Sequence, residues 1–326
     1  MTRARELAEL GSVYDSGNSL GFRNRIINGD MRIDQRNAGA ATAGAGSSPY
    51  TLDRWKVYSA GANNPVQRVA GPAGYQYAMQ ISGIASNTAC VAFQRIEAAN
   101  IADLASVLAT ASFLIYNSGA SFSATVRFQN PTTTADDFSA LTSIASNSIT
   151  VQNGWATITT SVSLTSGVAR GLQFEIDLLT AMTAGRTVQV TGVQLEAGSV
   201  ATPFERRDYG RELMMCQRYY TKSFGLGTAP ANSAGGGYQI GVVAGQDPQL
   251  AVSFPVEMRS APAITLFNPY VASPAGQWFG AAFGGGSGSN ARAFGSSTRM
   301  VSIDNTDVGA SNTGWCEIAF AATSEL

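Results

Sequence analysis

The sequence predicts an all-β protein: two antiparallel β-sandwich domains joined by a short helix, with a short N-terminal anchor ahead of them. Three observations predict it. From Phe22 to about Arg206, short runs alternate apolar and polar residues with the period of two that marks half-buried strands. Polar, turn-rich loops separate those runs, as in antiparallel sandwiches. After Arg207 a helical stripe interrupts the pattern, and alternation then resumes between very glycine-rich loops. The expected bodies are an anchor and linker over 1–21, a β-sandwich over 22–206, a helical connector over 207–223 and a C-terminal β-sandwich or knob over 224–326. A chain of 326 residues has room for a core in each of the two β domains.

The N-terminal "RARELAEL" spans about two helical turns, too short to be stable alone. Leu7 and Leu10 on one side of it, with Tyr14 in the turn-rich linker, are candidates for an anchor that orders on a partner. In "SFSATVRFQ", Phe122, Ala124, Val126 and Phe128 share a face and Arg127 and Gln129 lie on the other. "GLQFEIDL" repeats the scheme, with Gln173, Glu175 and Asp177 on the face expected to be wet. "WATITTSVSL" aligns Ala156, Ile158, Val162 and Leu164, and "DRWKVYS" places Trp55 with Val57, as core. "TVQVTGVQL" changes phase at Thr191–Gly192, which predicts a bulge at the glycine. "NIADLASVLA" is the one helical candidate here, with Asn100 as cap and Ile101, Leu104 and Leu108 as its stripe.

Beyond Arg207, "DYGRELMMCQRYY" sets Tyr209, Leu213, Cys216 and Tyr220 at helical spacing behind Asp208 as N-cap. These four are the candidate domain or subunit interface. "YQIGV", "LAVSF" and "CEIAF" alternate as strands, while Pro255 and Pro262 bracket a strand end or edge. Small-residue composition, the apolar helix stripe and glycine-rich loops suit packing around a symmetry axis, so a homo-oligomer is expected.

Composition narrows the function. A net charge of −1 with 13% charged residues gives no electrostatic case for nucleic acid or membrane surfaces. The chain has no histidine, which removes histidine triads, bases and metal sites. Three distant cysteines fit a reducing compartment, and the N-terminus has no secretory h-region. No run approaches the ~20 apolar residues of a membrane span. A surface-like Gly, Ala, Ser and Thr mixture made in the cytoplasm without a signal peptide is the pattern of a virion protein released by lysis.

No nucleophile elbow, phosphate loop, dinucleotide fingerprint or Cys-x-x-Cys pair is present, so no enzyme is expected and no cofactor beyond a structural calcium ion. Calcium takes oxygen ligands, and Asp30, Asp34 and Asp177 are the candidates. Asp136 and Asp137 sit in a polar loop and read as a solvated turn. Sugars are held by aromatic faces and planar polar groups. Tyr75 and Tyr77 in the first domain, and Tyr270, Trp278, Phe279 and Phe283 on or beside glycine-rich loops of the second, are the glycan-contact candidates.

Three segments carry a family resemblance. "RNRIINGDMRIDQRN…YTLDRW" (Arg23–Trp55) resembles the opening of a jelly roll on bacteriophage tail fibres and related virion appendages. "VTGVQLEAGSVATPFERR" (Val190–Arg207) resembles the last strand and exit of carbohydrate-binding-module-like jelly rolls. "ELMMCQRYYTKS" (Glu212–Ser223), followed by "VSFPVEMRSAPAI", resembles the segment that follows that domain, and "RARELAELGS" is similar to a phage-appendage N-terminal tag. The resemblance implies a usually trimeric appendage that contacts host-surface glycans and neighbouring tail, collar or head proteins. Beside that adhesion role stand two alternatives, a purely structural decoration or adaptor and a virion enzyme that trims polysaccharide.

Overall fold

A computed structural model describes residues 23–305 and 309–326. The anchor candidates Leu7, Leu10 and Tyr14 lie outside the described residues. The chain divides into two compact units, one holding the residues through Arg32, Ala41–Arg207 and Leu326, the other Ile33–Ala40 and Asp208–Glu325.

The first unit runs β1 (Thr42–Ala43), β2 (Tyr50–Leu52), β3 (Trp55–Ala60), β4 (Pro65–Ala70), β5 (Tyr77–Ser82) and β6 (Ala89–Ile96). It continues through β7 (Leu108–Asn117), β8 (Phe122–Pro131), β9 (Leu141–Val151), β10 (Gly154–Ser163), β11 (Leu172–Asp177) and β12 (Thr187–Ala197). They form two six-stranded antiparallel sheets, ordered β1-β4-β5-β12-β7-β10 and β2-β3-β6-β11-β8-β9. One core from both sheets lies between them, with Trp55, Val57, Phe113, Phe128 and Phe174 buried in it. Phe174 meets Phe128 and Phe113 edge-on, at 5.7 and 6.4 Å between ring centres. The indole of Trp55 donates to the Asn28 carbonyl at 3.0 Å, so the core tryptophan leaves no polar atom unpaired.

The bulge forms where the phase change predicts it. The β12–β7 register shifts between Thr191 and Gln194, and Gly192 has φ +63°. A Cβ there would come within 2.8 Å of the Tyr75 ring, so both conformation and space require glycine. The exit after β12 is knotted by buried Glu196. Its carboxylate accepts from Gln194 Nε2 (2.8 Å), Thr202 N (2.8 Å) and Thr202 Oγ1 (2.6 Å). Glu205 N donates to Gln194 Oε1 at 2.7 Å, and Arg207 donates to the carbonyls of Ile26 and Asn24. The "QLEAGSVATPFERR" segment is thus a polar lock on the last strand.

Three local expectations are corrected. The helix expected over residues 100–109 is only α1 (Ala98–Ile101) followed by a 3₁₀ turn at Ala102–Leu104, because Leu108 already begins β7. Its first N–H, on Ala98, donates to the Asp136 carboxylate at 2.7 Å, so Asp136 caps a helix start instead of sitting in a solvated turn. All six residues of β11 are buried, including the expected wet side of Gln173, Glu175 and Asp177. Arg95 and Arg127 from the flanking strands reach across that face and cover it.

The second unit contains α2 (Tyr209–Gln217), β13 (Tyr220–Lys222), β14 (Tyr238–Val242), β15 (Leu250–Ser253) and β16 (Ala263–Phe267). After them come β17 (Gln277–Gly280), β18 (Gly286–Phe294), β19 (Met300–Asn305) and β20 (Gly314–Thr323). These strands form a curled sheet ordered β13-β20-β17-β18-β19-β15, with β14 and β16 also paired to β20. It wraps a core that includes Val252, Met258, Trp278, Val301, Ile303, Cys316 and Ile318. Ile33–Ala40, expected within a continuous first domain, is counted here because of its bonds. Gln35 Nε2 donates to the Tyr220 carbonyl (3.0 Å), Lys222 Nζ donates to the Gln35 carbonyl (2.6 Å), and Arg36 pairs with Glu325 (2.7 Å). Arg36 also lies 3.8 Å over the Tyr220 ring.

Asp208 caps α2 as predicted, accepting from Arg211 N at 3.2 Å. The buried side of the helix differs from the predicted stripe: Glu212 and Cys216 are buried, Leu213 is half-buried and Tyr209 is 45% exposed in the first turn, while Tyr219 is buried in the turn that follows. Tyr220 has already left the helix for β13 and is buried there. No helix among the described residues is long and apolar enough to cross a membrane.

Candidate functional site

The strongest surface constellation is built by register. Trp155 on β10 lies opposite Tyr116 on β7, Tyr116 opposite Gln189 on β12, Gln189 opposite Gln80 on β5, and Gln80 opposite Gln67 on β4. Adjacent strands are ~4.8 Å apart, so this row extends about 19 Å across the sheet. The next residues along these strands, Val66, Ile81, Val188 and Asn117, are buried, so the pleat turns the row outward. Trp155 is 36% exposed and the other four are half-buried. The Trp155 and Tyr116 rings sit 5.5 Å apart and tilted by 45°, and Gln189 Nε2 donates to Gln80 Oε1 at 3.0 Å.

That arrangement has a definite chemistry. Two rings offer an apolar shelf at one end, and three primary amides offer donors and acceptors along the rest. The row carries no formal charge. It is complementary to an extended, uncharged ligand that alternates apolar faces with hydroxyl groups.

The other sheet's outer face behaves differently. Arg95 Nε donates to Gln173 Oε1 at 2.8 Å and Gln173 Nε2 donates to Glu175 Oε1 at 2.5 Å. Arg127 pairs with Asp177 and, at 3.6 Å, with Glu175. Burial raises the Glu175 pKa above the usual carboxylate value, opposed by the Gln173 hydrogen bond and the Arg127 charge. Both carboxylates leave one strand and converge on one arginine that pairs with each of them. This is a self-satisfied network.

The glycan-contact candidates read from sequence separate. Tyr270 and Phe279 come together in the second unit with ring centres 4.8 Å apart, joined by Trp315 at 6.3 and 6.4 Å. The Tyr270 hydroxyl donates to Glu317 Oε2 at 2.8 Å, and that hydrogen bond raises the tyrosine pKa. Trp278 is not a contact residue: it is completely buried and donates its indole N–H to the Asp304 carbonyl at 3.1 Å. Its strand phase, not the glycine-rich loops beside it, decides where it points. Phe283 is half-buried against the second core, under Gly288, where a Cβ would lie 2.1 Å from its ring.

In the first unit Tyr75 packs on Gly192 and Phe204, with Arg206 4.7 Å over its ring; Tyr77 lies under Arg68 at 4.4 Å. Neither belongs to the aromatic–glutamine row.

The carboxylates considered for calcium are engaged one by one. Asp30 pairs with Arg32 at 2.6 Å, Asp34 accepts from Asn37 N and Gly39 N, and Asp177 is held by Arg127 and Leu179 N. No cluster of three metal-ligating side chains occurs among the described residues. All three cysteines are buried and none forms a disulfide, and burial pushes the Cys90 and Cys316 thiols up to about 12.

Sequence reasoning missed Trp155, Tyr116 and Trp315. The signal was present for the tryptophans: each falls on the polar phase of an alternating run, Trp155 out of step with Ala156 and Ile158, Trp315 with Cys316 and Ile318. An aromatic residue on the wet phase is the observation to look for.

No protein-family model matches the chain. No curated protein matches it either. Among solved structures it is similar to a TmCBM61 module in complex with β-1,4-galactotriose, at 12% identity and TM-score 0.34, covering 54% of this chain and 100% of that one. A family 11 carbohydrate-binding module from Clostridium thermocellum in complex with a mixed-linked tetrasaccharide matches at 15% identity and TM-score 0.34, over 48% of this chain and 95% of that one. The enzymatically active domain of bacteriophage CBA120 tailspike protein 4 matches at 13% identity and TM-score 0.34 over 54% of this chain, which spans 21% of that one. Likenesses of this size say nothing of what this chain binds.

Proposed function

We propose that the chain is a non-catalytic glycan-binding component of a bacteriophage virion appendage, made in the host cytoplasm, that contacts host-surface polysaccharide. In this reading it is a homotrimer and joins other tail, collar or head proteins through its N-terminus. The observation that carries the reading is the outward row Trp155–Tyr116–Gln189–Gln80–Gln67, held by strand register on a rigid sheet. Flat rings followed by planar amides fit a saccharide chain, and the lack of charge in the row selects uncharged sugars. The self-neutralised acids beside Arg127 support binding without bond cleavage.

The test combines an array of defined oligosaccharides, competition for adsorption to host cells, and incubation with host polysaccharide. The expected result is binding to an uncharged oligosaccharide, competition with adsorption and no released fragments. Absence of any array binding with no effect on adsorption leaves only a structural role, and released oligosaccharide makes the protein an enzyme. Light scattering is expected to give three times the 34.0 kDa chain mass. A stable monomer at working concentration removes the trimer.

A further inference from the structure

The second unit holds a buried carboxylate that faces aromatic rings and no cation. Glu317 is 8% exposed; its Oε2 accepts the Tyr270 hydroxyl. Among the described residues nothing donates to Oε1, and no arginine or lysine forms an ion pair with the group. Phe279 lies directly across the ladder from Glu317, and Trp315 is two residues earlier on the same face of β20. Tyr270, at the rim, is 49% exposed.

The site is preformed by its loops. Asn268 Oδ1 accepts from Tyr270 N (3.0 Å) and Val271 N (3.1 Å), which fixes the tyrosine's backbone. Ser233 N donates to the Asn268 carbonyl and Gly235 N to the Pro269 carbonyl, both at 2.9 Å, pinning the opposite loop. A Cβ on Gly237 would lie 2.4 Å from Glu317 Oε1, so the glycine run lets that loop pass beside the carboxylate without displacing it. A Cβ on Gly280 would lie 2.4 Å from the Trp315 carbonyl, so Phe279 reaches the cluster only because its neighbour is glycine.

A carboxylate with no cationic partner carries an unbalanced negative charge, and the faces of aromatic rings are electron-rich. Both features favour a positive charge and disfavour an anion. We propose that Tyr270, Phe279, Trp315 and Glu317 form a binding site for a ligand's ammonium group, of the kind carried by an amino sugar with a free amine or by a choline substituent of a surface polymer. A primary ammonium donates to Glu317 Oε1; a quaternary one rests against the exposed Tyr270 ring with Glu317 as counter-charge. This site is independent of the aromatic–glutamine row of the first unit.

The test titrates the full chain with glucosamine and with choline, using glucose and N-acetylglucosamine as uncharged controls, followed by tryptophan fluorescence and calorimetry. At least one ammonium compound is expected to bind saturably, in the millimolar range, with the controls about tenfold weaker or worse. Glucosamine alone, or choline alone, identifies which source of the ammonium the site takes. Glu317→Gln, which keeps an acceptor for Tyr270, is expected to weaken binding about tenfold, and added salt to weaken it in the wild type. Tyr270→Leu, at a half-exposed position, gives the same readout if Glu317→Gln lowers the melting temperature. Equal binding of the uncharged sugars, undiminished binding by both variants, or no saturable binding of either ammonium compound overturns the proposal.

Discussion

Replacing Trp278 with alanine is expected to destabilise the second unit by about 3–5 kcal/mol, the range for truncating a fully buried aromatic side chain. Trp278 is completely buried in the core with Val301, Ile303, Cys316 and Ile318, and its indole N–H is spent on the Asp304 carbonyl. The change therefore leaves both a cavity and an acceptor without its donor. Against typical domain stabilities of about 5–15 kcal/mol that is a large fraction, enough to lower the melting transition by roughly 10–25 °C. Trp278→Phe keeps much of the volume and is expected to recover part of the loss. Differential scanning calorimetry reads both variants. A shift of only a degree or two for the alanine variant contradicts the burial of this residue.

Replacing Trp155 with alanine is expected to do the reverse. The side chain sits on an edge strand, 36% exposed, so stability should move by no more than about 0.5 kcal/mol. Binding of the oligosaccharide selected on the array should fall at least tenfold, since an aromatic shelf at the end of a polar row is the one large apolar contact it offers. Tyr116→Ala should weaken binding in the same direction. The Tyr116 ring is half-buried beside Trp155, so some loss of stability accompanies it. Gln189→Ala, in the middle of the row, tests whether the amides contribute as well as the rings.

The all-β architecture was legible because alternation is local. Phe122–Phe128, Leu172–Leu178 and the Gly192 bulge each follow from residues within one strand, and Trp55 joins the core on the phase its neighbours set. What alternation cannot reveal is which strands become neighbours. Trp155, Tyr116, Gln189, Gln80 and Gln67 are spread over β10, β7, β12, β5 and β4, and only pairing at long sequence separation lines them up. The same limit explains β11: its polar phase reads as solvated from one strand alone, yet arginines from two other strands bury it. Glycine-rich surroundings misplaced Trp278, whose strand phase points it into the core. The helix expected at residues 100–109 is shortened because Leu108 is claimed by β7, whose pairing with β10 and β12 outweighs a modest local helical preference.

The central claim is that the outward row of the first sheet holds an uncharged saccharide chain. Parallel calorimetric titration of the wild-type protein and Trp155→Ala with the best array oligosaccharide tests it most directly, with matched melting curves as the control for folding. The predicted result is a saturable isotherm for the wild type and a loss of at least tenfold in affinity for the variant at unchanged stability. Equal affinity of the two proteins for that oligosaccharide would contradict it.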